Sequence, residues 1–339
     1  MTFCRNGVRV VFVLMIALPC RAFCQAPDAA RPTQDMGTQQ TPQVLAVPDP
    51  SASSVEHWDK LSIRDSDLHS NPPIPGQTDS FPEFTRELLR VQWRGGDPID
   101  LYIVRPAGIS KPPVILYLYG YPGEAVRFLD PNFCKTVVRN GFAAVGFSSM
   151  LTGQRYHDVP MKQWFVSEME HSLVGTTHDV QMVLNYLEKR DDLDTSRTGI
   201  FGEGSGGTIA LLAASVDPRI KAIDVLNPWG DWPSWLAQSR VVPESERPDY
   251  LSSAFLKSIA ALDPVNVLPQ LRLTPLRLQQ TEWDSRSTPV LSRDRIAAAL
   301  PPTAKLTRYT DVKDYTERAG SDGKMLDWID SQLSQVRPQ

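Results

Sequence analysis

The residues with the clearest capacity for chemistry lie in the turn Gly202-Glu203-Gly204-Ser205-Gly206-Gly207. A short apolar run, Thr198 to Phe201, precedes it, and Thr208 to Ala214 reads as a helix after it. A Gly-x-Ser-x-Gly turn between strand and helix is a nucleophile elbow. Its sharp bend lifts a serine hydroxyl clear of the sheet edge, where backbone N–H groups stabilise the oxyanion formed on attack at a carbonyl. Aligned on its outer glycines, this turn puts Gly204 where the serine belongs, one residue before Ser205. Glycine lacks a Cβ and relieves a backbone strain of about 1–3 kcal/mol at such a bend. Gly204 therefore favours stability and removes the attacking oxygen. Ser205 is the fallback nucleophile. Its Cα lies about 3.8 Å further along the chain, and its side chain is expected to leave the turn in another direction.

Acyl transfer of this kind also needs an acid after a later strand, a histidine after the last strand and two N–H donors. Tyr119-Gly120-Tyr121-Pro122-Gly123 follows the apolar strand run Val114 to Tyr119. The N–H groups of Tyr121 and Ser205 are the expected oxyanion donors. The segment Pro275 to Asp284 ends on an acid, Asp284, in the right place for the triad. The histidine slot, after the strand Lys305 to Tyr309, reads Thr310-Asp311-Val312-Lys313-Asp314. Asp314 is its positional match, and a carboxylate cannot shuttle a proton near neutral pH as imidazole does. The five histidines are His57, His69, His157, His171 and His178, all before the elbow. If Asp284 and Asp314 stand as triad neighbours do, two close carboxylates would raise one pKa or attract a divalent cation. Apart from the glycine spacing of the turn itself, nothing else in the chain points to a metal or a cofactor.

The order and spacing of Tyr119-Gly120, the elbow, Asp284 and a closing helix from Met325 to Val336 resemble the α/β-hydrolase superfamily. The dienelactone hydrolase-like and prolyl oligopeptidase-like branches come closest. The resemblance covers about Phe81 to Val336. It implies ester or peptide hydrolysis through an acyl-enzyme. Residue by residue it carries over at Asp284 and fails at Gly204 and Asp314. The reading that follows is a degenerate member, a pseudoenzyme, that retains a site for a small ester, peptide or carbohydrate between Tyr121, Gly204 and the tryptophans Trp229 to Trp235. The alternative is an active serine esterase or peptidase using Ser205.

Gly202-x-Gly204-x-x-Gly207 also fits a dinucleotide fingerprint after a strand and before a helix, with Asp224 at the end of the next strand as a ribose-binding acid. Against it, Glu203 would bring negative charge beside the pyrophosphate.

The elements that must position these residues alternate strand and helix, which predicts a mainly parallel, doubly wound α/β sheet covered on both faces. Glu87 to Trp93 and Ile99 to Val104, around Arg94-Gly95-Gly96-Asp97, predict an antiparallel hairpin before it. Asp130 to Asn140 predicts a helix with Asp130 as its N-cap and Gly141 closing it. Residues 227–268 exceed a plain connection and predict a helical cap insertion. The hydrolase domain is expected over 81–337. Residues 25–80 are rich in Pro, Gln, Ser and Thr and predict a linker without a core, with one short helix near Ser54 to Leu61.

Residues 1–24 combine Arg5 and Arg9 with the apolar run Val10 to Pro19, which predicts a cleaved signal peptide and a periplasmic or extracellular protein. Cys4, Cys20 and Cys24 lie within or at the end of that segment, which leaves Cys134 without an intrachain partner. The formal net charge of −4 makes the chain a poor candidate for nucleic acid or an anionic membrane surface. No further run is long enough to span a membrane.

Overall fold

The computed structural model describes residues 56–66, 68, 71–94, 97–121, 125–151, 155, 169–283, 288–320 and 324–336. Its strands are β1 (Ile74–Ser80), β2 (Phe84–Val91), β3 (Ile99–Pro106), β4 (Pro113–Leu118), β5 (Ala143–Gly146), β6 (Asp194–Glu203), β7 (Ile220–Leu226), β8 (Leu276–Thr281) and β9 (Lys305–Tyr309). They form one sheet in the order β1-β2-β3-β5-β4-β6-β7-β8-β9. The strands β5, β4 and β6 to β9 run parallel, while β1, β2 and β3 pair antiparallel and β3 also meets β5 antiparallel. Central strands buried on both faces read as continuous apolar runs. Val114 to Leu118 in β4 is such a run and is buried throughout.

The helices are α1 (Pro131–Val137), α2 (Met169–Leu187), α3 (Ser205–Val216), α4 (Trp232–Gln238), α5 (Arg247–Tyr250), α6 (Ser253–Ile259), α7 (Pro264–Val267), α8 (Val290–Ala298), α9 (Val312–Arg318) and α10 (Asp327–Ser334). One core, on the α2 and α3 face of the sheet, also takes in the insertion after β7. The other lies under α1 and α10, with Phe128, Phe142, Ile329 and Leu333 at its centre. Asp130 caps α1 as expected, accepting the Asn132 N–H, and Gly141 adopts φ 84° just beyond the helix. No described helix is long and apolar enough to cross a membrane.

Two expectations need correction. Order begins before residue 81: Ile74 to Ser80, read as linker, are strand β1. Almost all of it is exposed, so no apolar pattern announces it. Backbone pairing to β2 holds it, with Pro75 on the edge where a missing N–H is tolerated. The described part of the expected helix near Ser54 to Leu61 is a turn-rich strap rather than a helix. The strap lies along α2 through specific bonds. The Ile63 N–H donates to Gln181 Oε1 at 3.1 Å, and Gln181 Nε2 donates to the Leu61 carbonyl at 2.7 Å. Glu56 pairs with Arg94 at 2.5 Å, and Trp58 stacks on His171 at 3.6 Å.

Candidate functional site

The site follows from the strand order. The chain passes from β4 to β5 on one side and returns to β6 on the other, so the carboxyl ends of β4 and β6 adjoin at a topological switch point, where open α/β sheets place ligands. Leu118 pairs with Gly202 there. The Tyr119-Gly120-Tyr121 turn is thereby laid against the elbow. A Cβ on Gly120 would stand 3.0 Å from the Glu203 carbonyl oxygen, a tight contact that favours glycine at this approach.

Gly204 is the N-cap of α3 at φ 56° and ψ −123°, a conformation that penalises any residue with a side chain. Its neighbours are glycines for a different reason. A Cβ on Gly202 would lie 2.5 Å from the Gly206 carbonyl oxygen, and one on Gly206 would lie 2.0 Å from that of Leu118. A Cβ on Gly204 would meet only ordinary contacts, Trp229 Nε1 at 3.5 Å and Gly120 Cα at 3.6 Å. Packing dictates glycine at 202 and 206. At 204 the space would admit a side chain and the backbone conformation alone opposes it.

Ser205 opens α3 and is fully buried. Its Oγ accepts the Tyr121 N–H at 2.9 Å. The Tyr121 N–H is therefore engaged by the serine beside the elbow rather than held ready for an oxyanion, which corrects the expected role of that donor. The hydroxyl itself is anchored to the β4 turn.

Trp229 completes the wall. Its backbone N–H donates to the Gly204 carbonyl at 3.3 Å, its carbonyl accepts from Thr208 Oγ1 at 2.8 Å, and its ring lies 4.5 Å from that of Trp235. The expected insertion at 227–268 is helical, spanning α4 to α7 with short 3-10 turns. The Asp263 carboxylate ties its ends together by accepting the N–H groups of Asp231 and Trp232, both at 2.9 Å. Trp229, Trp232 and Trp235 are buried within the core on the α3 face.

Asp284 and His157 lie outside the described residues. Asp314 does not take the place of a triad histidine. It sits in the first turn of α9, where its Oδ2 accepts the Thr310 N–H at 3.0 Å and pairs with Arg318 at 3.0 Å. Those bonds, the backbone one foremost, hold its carboxyl below the usual range. Its expected partner Asp284 lies outside the described residues, and among the described residues no group of side chains could hold a metal ion. Asp224 lies mid-strand in β7, fully buried, with Arg277 Nε at 2.9 Å and Gln279 Nε2 at 2.9 Å. It faces the interior and cannot reach a ribose, which removes the acid that the dinucleotide reading requires.

Of the described histidines, His171 stacks on Trp58, and His178 is buried on α2 between Glu56 Oε1 at 2.5 Å and the Lys60 carbonyl at 2.7 Å. Both serve the strap. A buried cluster extends from it. Asp179 accepts from Arg94, from Arg155 at 2.6 Å and from Trp93 Nε1 at 3.0 Å, and Arg155 also pairs with Asp97. The legible signal for it was Asp179 itself, an acid on an otherwise buried stretch of helix.

No protein-family model matches the chain. A 31.7 kDa Escherichia coli protein from the traX-finO intergenic region is 29% identical over 152 residues, covering 44% of this chain and 48% of the relative. The 2,6-dihydropseudooxynicotine hydrolase of Paenarthrobacter nicotinovorans is 23% identical over 182 residues, 52% of this chain and 46% of the enzyme. The chain thus spans about half the length of the curated relatives it matches. Among solved structures, the acetyl xylan esterase from Paenibacillus sp. R4 superposes with a TM-score of 0.60 at 17% identity, over 81% of this chain and 92% of the esterase. The chain has the α/β-hydrolase fold. At that identity the likeness is one of fold, and the chemistry must be argued from the residues above.

Proposed function

We propose that this α/β-hydrolase-fold protein no longer forms an acyl-enzyme and retains the elbow as a site for a small ligand. One observation carries the reading: the sole hydroxyl of the turn, Ser205 Oγ, is buried and bonded to the Tyr121 N–H, while the residue at the bend is Gly204. An attacking oxygen must be exposed to substrate and bonded to a base. Among the described residues Ser205 has neither arrangement, and no histidine follows the elbow in the sequence. In subtilisin the loss of the nucleophile or of the histidine alone lowers turnover about a million-fold.

The alternative, an esterase that uses Ser205, has the fold likeness to an acetyl xylan esterase in its favour. It requires Ser205 to leave its bond to Tyr121 and to find a base elsewhere. Incubation with a fluorophosphonate followed by peptide mass spectrometry separates the two. We expect no adduct on Ser205, and an adduct there would establish the alternative. The residues before Gln25 are proposed to direct export. Amino-terminal sequencing of the protein recovered from a periplasmic fraction is expected to begin near Gln25, and a retained Met1 would reject export with cleavage.

A further inference from the structure

The strap that precedes β1 is held on α2 by a buried histidine whose two ring nitrogens both face acceptors. His178 Nε2 lies 2.7 Å from the Lys60 carbonyl oxygen, which can only accept. His178 Nδ1 lies 2.5 Å from Glu56 Oε1. Arg94 already grips both oxygens of that carboxylate, Nε to Oε2 at 2.5 Å and Nη2 to Oε1 at 2.5 Å. Against its burial, the bonds from His178 and Arg94 hold the Glu56 carboxyl below the usual range, so it too accepts. Both nitrogens of His178 must therefore donate, and only the doubly protonated, cationic ring does so.

Charge balance gives the same answer independently. Glu56, Asp97 and Asp179 form one buried set with Arg94, Arg155 and His178. All six side chains are at most 9% exposed. Three carboxylates face two guanidiniums, and the charges cancel only when His178 carries the third positive charge. Burial pushes the Asp97 carboxyl up, but Arg155 donates to both of its oxygens at 2.5 Å and so keeps it an acceptor. An unbalanced charge buried in such a set is strongly destabilising. The remaining ring beside His178 is Trp58 of the strap, 6.0 Å away, which also meets His171 at 3.6 Å and the Arg94 guanidinium at 5.4 Å.

We propose that His178 is a proton-operated latch: while both ring nitrogens carry protons, residues 56–66 stay on α2, and loss of one proton as pH rises frees the strap. A neutral ring serves the Lys60 carbonyl or Glu56, not both, and leaves the buried set with net negative charge. Release gives up the proton, so attachment weakens with rising pH. Histidine is the side chain whose charge changes near neutral pH, which places the switch in a physiological range. The strap covers apolar surface: Ile63 is buried in the core on the α2 face, Trp58 and Leu61 pack against it, and a Cβ on Gly175 would stand 3.0 Å from Trp58. Release uncovers that stretch of α2. The latch shares no residue with the elbow and stands whatever the elbow binds.

The test is hydrogen–deuterium exchange of the full chain, read by mass spectrometry at about pH 6 and about pH 9 and corrected for the intrinsic exchange rate. Protection of a peptide spanning 56–66 is expected to fall roughly tenfold or more over that range, the loss of one hydrogen bond to a charged group. Peptides from α3 are expected to keep theirs. H178Q retains an amide donor and gains no proton, so its strap protection is expected to be the same at both pH values. E56Q removes one carboxylate, so the set balances with a neutral ring, and the amide can donate to Nδ1. Its pH dependence is expected to be lost as well. Constant strap protection in the unaltered protein, or an undiminished pH dependence in H178Q, overturns the proposal. If H178Q does not fold, E56Q decides, and an undiminished pH dependence there overturns it. A merely structural part for His178 would weaken the strap in H178Q and leave the pH dependence in place.

Discussion

The contrast between Gly204 and Gly206 gives the sharpest prediction. Both are glycines of one turn, and the structure assigns them different reasons for being so. At Gly204 a Cβ meets ordinary contacts at 3.5 and 3.6 Å, and the penalty comes from φ 56° and ψ −123°. Gly204→Ala should therefore destabilise by about 1–3 kcal/mol, the usual cost of forcing a side chain into such a backbone region. At Gly206 a Cβ would stand 2.0 Å from the Leu118 carbonyl oxygen and 2.4 Å from its carbon. Neither is the end of a flexible side chain, so β4 and α3 must separate at the centre of the sheet. Gly206→Ala should cost more than about 4 kcal/mol, in the range of the severest point substitutions, or prevent folding. Denaturant unfolding of both variants, read by tryptophan fluorescence and circular dichroism, gives the two values. The reasoning is refuted if Gly206→Ala is as mild as Gly204→Ala, or if Gly204→Ala matches the unaltered protein.

Further outcomes follow from the same geometry. Burial foremost, with Asp327 and Asp224 nearby, pushes the Asp330 carboxyl up to about 6 against a bond from Asn140. A raised folded-state value means that its stability contribution is full below pH ~4 and is lost as pH rises through about 6. Asp330→Asn should accordingly stabilise by up to about 3 kcal/mol at pH 8, since each tenfold change in proton affinity is worth about 1.4 kcal/mol, with the gain fading below pH ~4 in chemical melts. Asp179→Asn leaves two buried guanidiniums short of a counter-charge, Arg94 and Arg155. It should cost about 3–5 kcal/mol by the same melts. Ser205→Ala removes the acceptor of the Tyr121 N–H. It should cost about 1–3 kcal/mol and leave any p-nitrophenyl ester turnover unchanged, whereas abolished turnover would assign Ser205 a catalytic part.

The sheet was legible because its central strands are apolar runs and its helices carry periodic faces. The parallel core, the hairpin before it and the capped α1 all follow from those patterns. The pieces that escaped have no such pattern. Strand β1 is exposed along its length and exists through pairing with β2. Helix α9 buries no residue and is started by Asp311, whose side chain accepts the Asp314 N–H at 2.9 Å. The segment Thr310 to Asp314 occupies the place of a triad histidine, and its acids cap a helix. At the site, residue identity alone located the bend and Gly204. It could not show that Ser205 Oγ turns back to the Tyr121 N–H, because that bond joins residues 84 positions apart and depends on the crossover that brings β4 beside β6.

The persistence of the elbow without its oxygen has a physical cause that does not involve catalysis. The bend is imposed by the close approach of α3 to β4 and β6, which fixes glycine at 202 and 206 because a Cβ there would stand 2.5 and 2.0 Å from backbone carbonyl oxygens. Position 204 inherits its conformation from those two anchors and from the Gly204 N–H donating to the Leu226 carbonyl at 3.0 Å. A side chain there adds strain, and a functional hydroxyl is what would justify that strain. On the proposed reading, in which acyl transfer is absent, glycine at 204 lowers the free energy of the native state while every other contact of the turn remains. The fold likeness to esterases and the proposed absence of acyl-enzyme chemistry are therefore compatible. The geometry that produces the likeness is held by packing at 120, 202 and 206, and the chemistry depends on atoms at 204 and beyond β9 that packing does not require.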